Sequence, residues 1–136
     1  MTTFKYRREK GRLGKVVKRP VALVEFQLAN GNWLSKYLYI DSGADITLIP
    51  RSVGDLLGFE LAPEETIEEI GGIAGALPTV RRRVTVRIAN HKLEAEVSWA
   101  LTEEVPLLLG RKDIFDAFHI TFKQDQGLVV FKSALS

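Results

Sequence analysis

In the stretch YIDSGADITLIP, residues 39 to 50, a carboxylate (Asp41), a hydroxyl (Ser42) and a glycine (Gly43) follow one another between two apolar runs. Two readings compete. Asp-Ser-Gly is an ordinary turn composition, because these residues hydrogen-bond locally and tolerate unusual backbone angles. Alternatively, the strand-like Tyr37, Leu38, Tyr39 and Ile40 deliver Asp41 to a cleft. Gly43 would then let the backbone fold tightly beneath it, and Ser42 would supply a hydroxyl that fixes the geometry. Other chemistries have less to build with. His91 and His119 stand singly and far apart, and the chain has no cysteine, so neither a metal site nor histidine-based catalysis finds a set of residues. No metal and no cofactor are expected. The glycines of IGGIAGALP, residues 70 to 78, could cradle phosphate, but no helix with a lysine follows them. They read instead as the tip of a long hairpin that opens and closes.

The elements that must position these residues are short strands. Ala22, Val24, Phe26 and Leu28 alternate against Glu25 and Gln27, and Asn30-Gly31 marks a hairpin turn. Val80, Val84, Val86 and Ile88 alternate with Arg81, Arg83, Thr85 and Arg87. The chain turns at Ala89-Asn90-His91, and Leu93, Ala95, Val97 and Trp99 continue against Glu94 and Glu96. Those glutamates are placed to pair with the arginines across the ladder, as a solvated sheet face. Helix is scarce: one candidate covers residues 51 to 59, another residues 112 to 118, and a last hairpin, HITFKQDQGLVVFK, follows. In VPLLLGRKDIF, residues 105 to 115, an apolar strand runs into Gly110 and a short helix begins near Arg111, whose side chain could reach a carboxylate near the cleft. The class is mainly β, most simply a closed barrel.

Length and composition fit one domain. The 136 residues are 46% hydrophobic, and no secretory or membrane-spanning apolar run is present. The expected setting is soluble and cytoplasmic, with no membrane partner; the absence of cysteine agrees with a reducing compartment. The net charge of +2 conceals an asymmetry, for before Pro20 eight cations (Lys5, Arg7, Arg8, Lys10, Arg12, Lys15, Lys18, Arg19) face Glu9 alone. Residues 1–19 are expected to be a basic, flexible arm. Because Phe4 and Tyr6 are its only aromatics, nucleic acid is not the expected partner.

Three motifs in order, YIDSGAD, IGGIAG and LLGRKD, resemble the retropepsin-like aspartic proteases: the retroviral proteases and the protease-like domains of ubiquitin-shuttle proteins. The resemblance spans roughly residues 20 to 132. It implies that residues 20–136 form a closed single-lobe acid-protease barrel with a β-hairpin flap (Gly71, Gly72, Ile73, Ala74, Gly75) and one short C-terminal helix. It implies Asp41 as the catalytic aspartate, with Ser42 and Gly43 completing the triplet. Ala44, Asp45, Gly110 and Arg111 would support the site, Asp45 and Arg111 as a partly buried ion pair. Ile46, Leu48, Leu77, Val105 and Leu107, apolar and near these motifs, could line the substrate subsites or equally serve as ordinary barrel core.

Peptide hydrolysis of this kind needs two carboxylates sharing a proton, and this chain carries one triplet. The resemblance therefore implies a homodimer acting on polypeptide as an endopeptidase. The alternative is a catalytically silent module of the same fold that binds peptide or protein. Two departures from the retroviral pattern stand out: the chain continues well past Arg111, and Ile46 replaces the second acidic residue found there in some retroviral enzymes. Ala44 also lacks the hydroxyl common at its position in pepsin-like enzymes, which predicts a working pH in weak rather than strong acid.

Overall fold

The computed structural model describes residues 1–71 and 76–135. The expected hairpins form. Strands β1 (Thr2–Lys5), β2 (Arg7–Lys10) and β3 (Val16–Arg19) precede the first of them, β4 (Val21–Gln27) with β5 (Trp33–Ile40). Its loop is closed by Asn30, whose side-chain oxygen accepts from Asn32 N at 2.9 Å, and by Gly31 at φ +88°. After β6 (Thr47–Ile49), helix α1 (Arg51–Leu56) and β7 (Glu68–Ile70) come β8 (Leu77–Ile88) and β9 (His91–Ala100), joined at Ala89 and Asn90. Both turn residues have positive φ, as a two-residue hairpin loop demands. The chain ends with β10 (Leu108–Leu109), β11 (Phe118–Lys123) and β12 (Leu128–Ser133).

Six strands close a barrel in the order β4-β5-β10-β6-β9-β8, the seam being two residue pairs, Glu25 with Arg87 and Phe26 with Val86. Strand β7 extends the sheet beyond β8, and β1, β12 and β11 form a second sheet. Period-two alternation turns Val24, Phe26, Leu38, Val84, Val86, Ala95, Val97 and Trp99 into one core, which the second sheet joins through Phe131 and Val129. Helix α1 lies against that core at Gly54. A Cβ there would meet Trp99 Nε1 at 2.0 Å, so only glycine permits the approach. The Trp99 indole N–H donates to Arg51 O at 3.1 Å.

Arg87 closes the barrel seam. It donates to both oxygens of Glu25, at 2.9 and 2.6 Å, and stacks 4.2 Å from the Trp33 ring centroid. That hydrogen bond holds the Glu25 carboxyl below its ordinary range. The Arg82 hydrogen bond does the same for Glu65, and those from Lys112 and Arg81 for Glu96. A lowered folded-state pKa contributes stability that is complete above the ordinary value of 4.5 and is lost as pH falls through the folded value. The melting temperature is therefore expected to fall on acidification below about pH 4.5. Glu25→Gln should melt lower at neutral pH and decline less steeply in acid; an unchanged acid slope would remove the seam from the account.

Two expectations need correction. The basic N-terminal arm is strand, not a flexible tail: β1 pairs antiparallel with β12, Phe4 stands edge-on to Phe131 at 5.3 Å, and Tyr6 is buried. Strands β2 and β3 then pair as a hairpin. The helix expected over residues 112–118 is absent, and α1 is the single α-helix among the described residues. Residues 111 to 117 are successive turns, closed by Phe115 N to Arg111 O and Phe118 N to Ile114 O. Asp113 interrupts any helix there with φ +67°, and its carboxylate accepts from Glu96 N on β9 at 2.8 Å.

Candidate active site

Strand β5 carries Asp41 to the end of the barrel and backbone bonds pin it on arrival. Tyr39 N donates to Leu107 O at 2.9 Å, Ile40 N to Pro20 O at 3.0 Å, and Asp41 N to Leu109 O at 3.0 Å. The chain then turns: Ala44 N donates to Asp41 O, and Gly43 N donates to Asp41 Oδ1 at 2.9 Å. A Cβ on Gly43 would lie 3.3 Å from that same Oδ1, close enough to disturb it. Asp41 is half-buried, whereas Ser42 and Gly43 are exposed. The Ser42 hydroxyl makes no hydrogen bond among the described residues, so within one chain it does not fix Asp41; the Gly43 amide does.

The expected Asp45–Arg111 pair is not a buried tie. The closest approach is 3.9 Å, with Arg111 60% and Asp45 96% exposed. Backbone bonds tie the loop instead, with Arg111 N donating to Ala44 O and Lys112 N to Asp45 O, both at 2.9 Å. Gly110 N donates to the buried Thr47 hydroxyl at 3.0 Å, and a Cβ at Gly110 would meet Ile46 C and O at 2.3 and 2.4 Å. Gly110 is where two backbone segments cross at contact distance. Because an exposed ion pair contributes no more than about 1 kcal/mol, Arg111→Ala is expected to cost at most that much in a denaturant titration of the single chain. A loss of several kcal/mol would restore the buried pair.

Asp41 opens onto a cleft of about 570 Å³ whose walls include Tyr39, Ile40, Pro106, Leu108, Lys18 and Arg19. It is the sole carboxylate lining this cleft among the described residues. The five expected subsite residues do not line it. Leu48 is buried and pairs with Leu108, Leu107 packs against the core, and Leu77 pairs with Ile70 where β7 meets β8. Ile46 and Val105 are half-buried. Of the expected flap residues only Gly71 is described, following the β7–β8 pairing; Gly72, Ile73, Ala74 and Gly75 lie outside the described residues.

Sequence reasoning missed the wall contributed by the N-terminal hairpin. Glu9 accepts from the Tyr39 hydroxyl and from Arg19 Nε, the latter at 3.0 Å. Arg7 lies over the Tyr37 and Tyr39 rings, 5.6 and 5.5 Å from their centroids. The available signal was the β5 alternation, which turns Tyr37 and Tyr39 away from the core face of Leu38 and Ile40.

No protein-family model matches the chain, and no curated protein matches it by sequence. Among solved structures it is similar to the EIAV protease complexed with the inhibitor HBY-793, at 22% identity and TM-score 0.52, over 76% of this chain and 88% of that one. With its closed six-stranded barrel and, among the described residues, one short α-helix, the chain has the retropepsin-like fold.

Proposed function

We propose that the protein is a homodimeric aspartic endopeptidase that hydrolyses peptide bonds in extended polypeptide with water activated between two Asp41 carboxylates. The observation that carries this reading is the position of Asp41: a single carboxylate at a cleft, pinned through its own backbone, with exposed Ser42 and Gly43 beside it. The fold shared with a retroviral protease supports it.

In the dimer, one Asp41 carboxylate takes a proton from water as the oxygen attacks the scissile carbonyl. The other, protonated, gives its proton to the carbonyl oxygen. Collapse of the resulting gem-diol breaks the C–N bond, with a proton passing to the departing amine.

The test is incubation with an unfolded protein across a pH series, with the products read by mass spectrometry. Internal cleavage in weak acid is the expected result, and intact substrate at every pH would leave a binding module. Activity per subunit should fall on dilution through the dimer dissociation constant, followed alongside sedimentation. A dilute, fully active monomer would contradict the shared site. Ala44 sets a further expectation, since without a side-chain donor the ionised dyad is less stabilised. Ala44→Ser should move the acidic limb of the rate profile to lower pH. An unmoved or raised limb in an intact dimer would show that Ala44 does not set the working pH.

A further inference from the structure

The β2–β3 hairpin has two unlike faces. On its inward face Arg7, Glu9 and Val17 are half-buried, Arg7 and Glu9 against Tyr37 and Tyr39, and the exposed Arg19 pairs with Glu9. Its outward face is cationic and unneutralised. The register sets Arg8 opposite Lys18 and Lys10 opposite Val16, with Arg12 and Lys15 exposed at the turn. Like charges directly opposite one another destabilise a ladder. Lys5, Arg8, Lys10, Arg12, Lys15 and Lys18 join no ion pair among the described residues, whereas every arginine from Arg51 onward does. Lys5, Arg8 and Lys18 surround a hollow of about 350 Å³ in which one carboxylate, Asp125, faces them. Lys18 also belongs to the wall of the Asp41 cleft. The cationic face and the cleft thus meet at Lys18.

We propose that this face docks acidic stretches of the polypeptide substrate, outside the residues being cut; the proposal rests on the endopeptidase reading above. Acidic side chains on one face of an extended peptide recur about every 6.8 Å, a spacing suited to successive cations on a hairpin. The hairpin exposes Leu13 and Val16 but no aromatic ring, and the exposed Tyr37 beside it has Arg7 over its ring rather than a free face on the cationic side, which favours polypeptide over nucleic acid. Each exposed contact is weak and screened, so the docking is collective and salt-sensitive.

The test is fluorescence anisotropy of a labelled oligoglutamate peptide and its serine counterpart, with Asp41→Asn protein so that no cleavage intrudes. Oligoglutamate should bind, more weakly as salt rises, and the serine peptide should not. Lys5→Gln/Arg8→Gln, both outside the cleft lining, should weaken oligoglutamate binding about tenfold. In the active protein that variant should raise KM for a substrate carrying an acidic extension while leaving kcat and the cleavage of a neutral substrate unchanged. Equal binding of the two peptides would overturn the proposal, and so would undiminished binding by a folded Lys5→Gln/Arg8→Gln protein. An oligothymidylate of equal charge binding more tightly than oligoglutamate would also overturn it and make the face a nucleic-acid surface. Because binding is read without catalysis, a protein that docks oligoglutamate but cuts nothing would sink the protease reading while leaving the surface assigned.

Discussion

Asp41→Asn protein should fold, melt and sediment as the parent does and lose about 10⁴-fold in cleavage rate, the upper range for removing a positioned acid-base group. The amide preserves the shape of the side chain, and its oxygen can still accept from the Gly43 amide as Oδ1 does. What disappears is the capacity to share a proton with a second copy. Undiminished cutting by the purified variant would assign the reaction elsewhere. A variant that failed to fold would make the residue structural, contrary to its position at an open cleft.

The largest structural effect is expected at Gly110. A methyl group there would overlap Ile46 O at 2.4 Å and Thr47 N at 2.7 Å, backbone atoms that cannot swing aside. Gly110→Ala should therefore push apart the two segments whose contact holds the Asp41 loop. The cost is of the overpacking kind, about 3 kcal/mol, read as a fall in the denaturation midpoint. Activity should fall further than stability alone explains, because the bonds from Arg111 N to Ala44 O and from Lys112 N to Asp45 O depend on that crossing. Arg111→Ala supplies the contrast, as it removes an exposed, long ion pair and leaves those backbone bonds in place. Near-identical stability of Gly110→Ala and the parent would contradict the crossing.

Much of this arrangement was legible in the residues. Val84, Val86 and Ile88 against Arg83, Thr85 and Arg87 specify a half-buried strand, and the expected arginine–glutamate pairs form, Arg81 with Glu96 and Arg83 with Glu94. The Asp41 turn was legible because its composition follows directly on a strand. The N-terminal strands were hidden by charge. Phe4 and Tyr6 alternate with cations in period two, but the density of lysine and arginine outweighed that faint pattern. The helix over 112–118 failed on a tertiary demand, since Asp113 serves the Glu96 amide rather than a local helix. Asp45 and Arg111 lie near one another as the resemblance implies, but neither distance nor burial can be read from a motif. Apolarity near a motif does not separate a subsite residue from barrel core, and Leu48 and Leu107 pack in or against the core. Cleft lining depends instead on strand face, which selects Tyr39 on β5 and Leu108 on β10.

If two copies of Asp41 form one site, exchange of subunits between active and inactive dimers must abolish it. A fixed amount of parent protein, allowed to exchange subunits with increasing Asp41→Asn protein, should lose activity progressively as mixed dimers replace parent dimers, approaching zero at large excess. Activity that held constant throughout the titration, with mixed dimers demonstrated by sedimentation of differently tagged subunits, would show that a single Asp41 suffices and contradict the shared site.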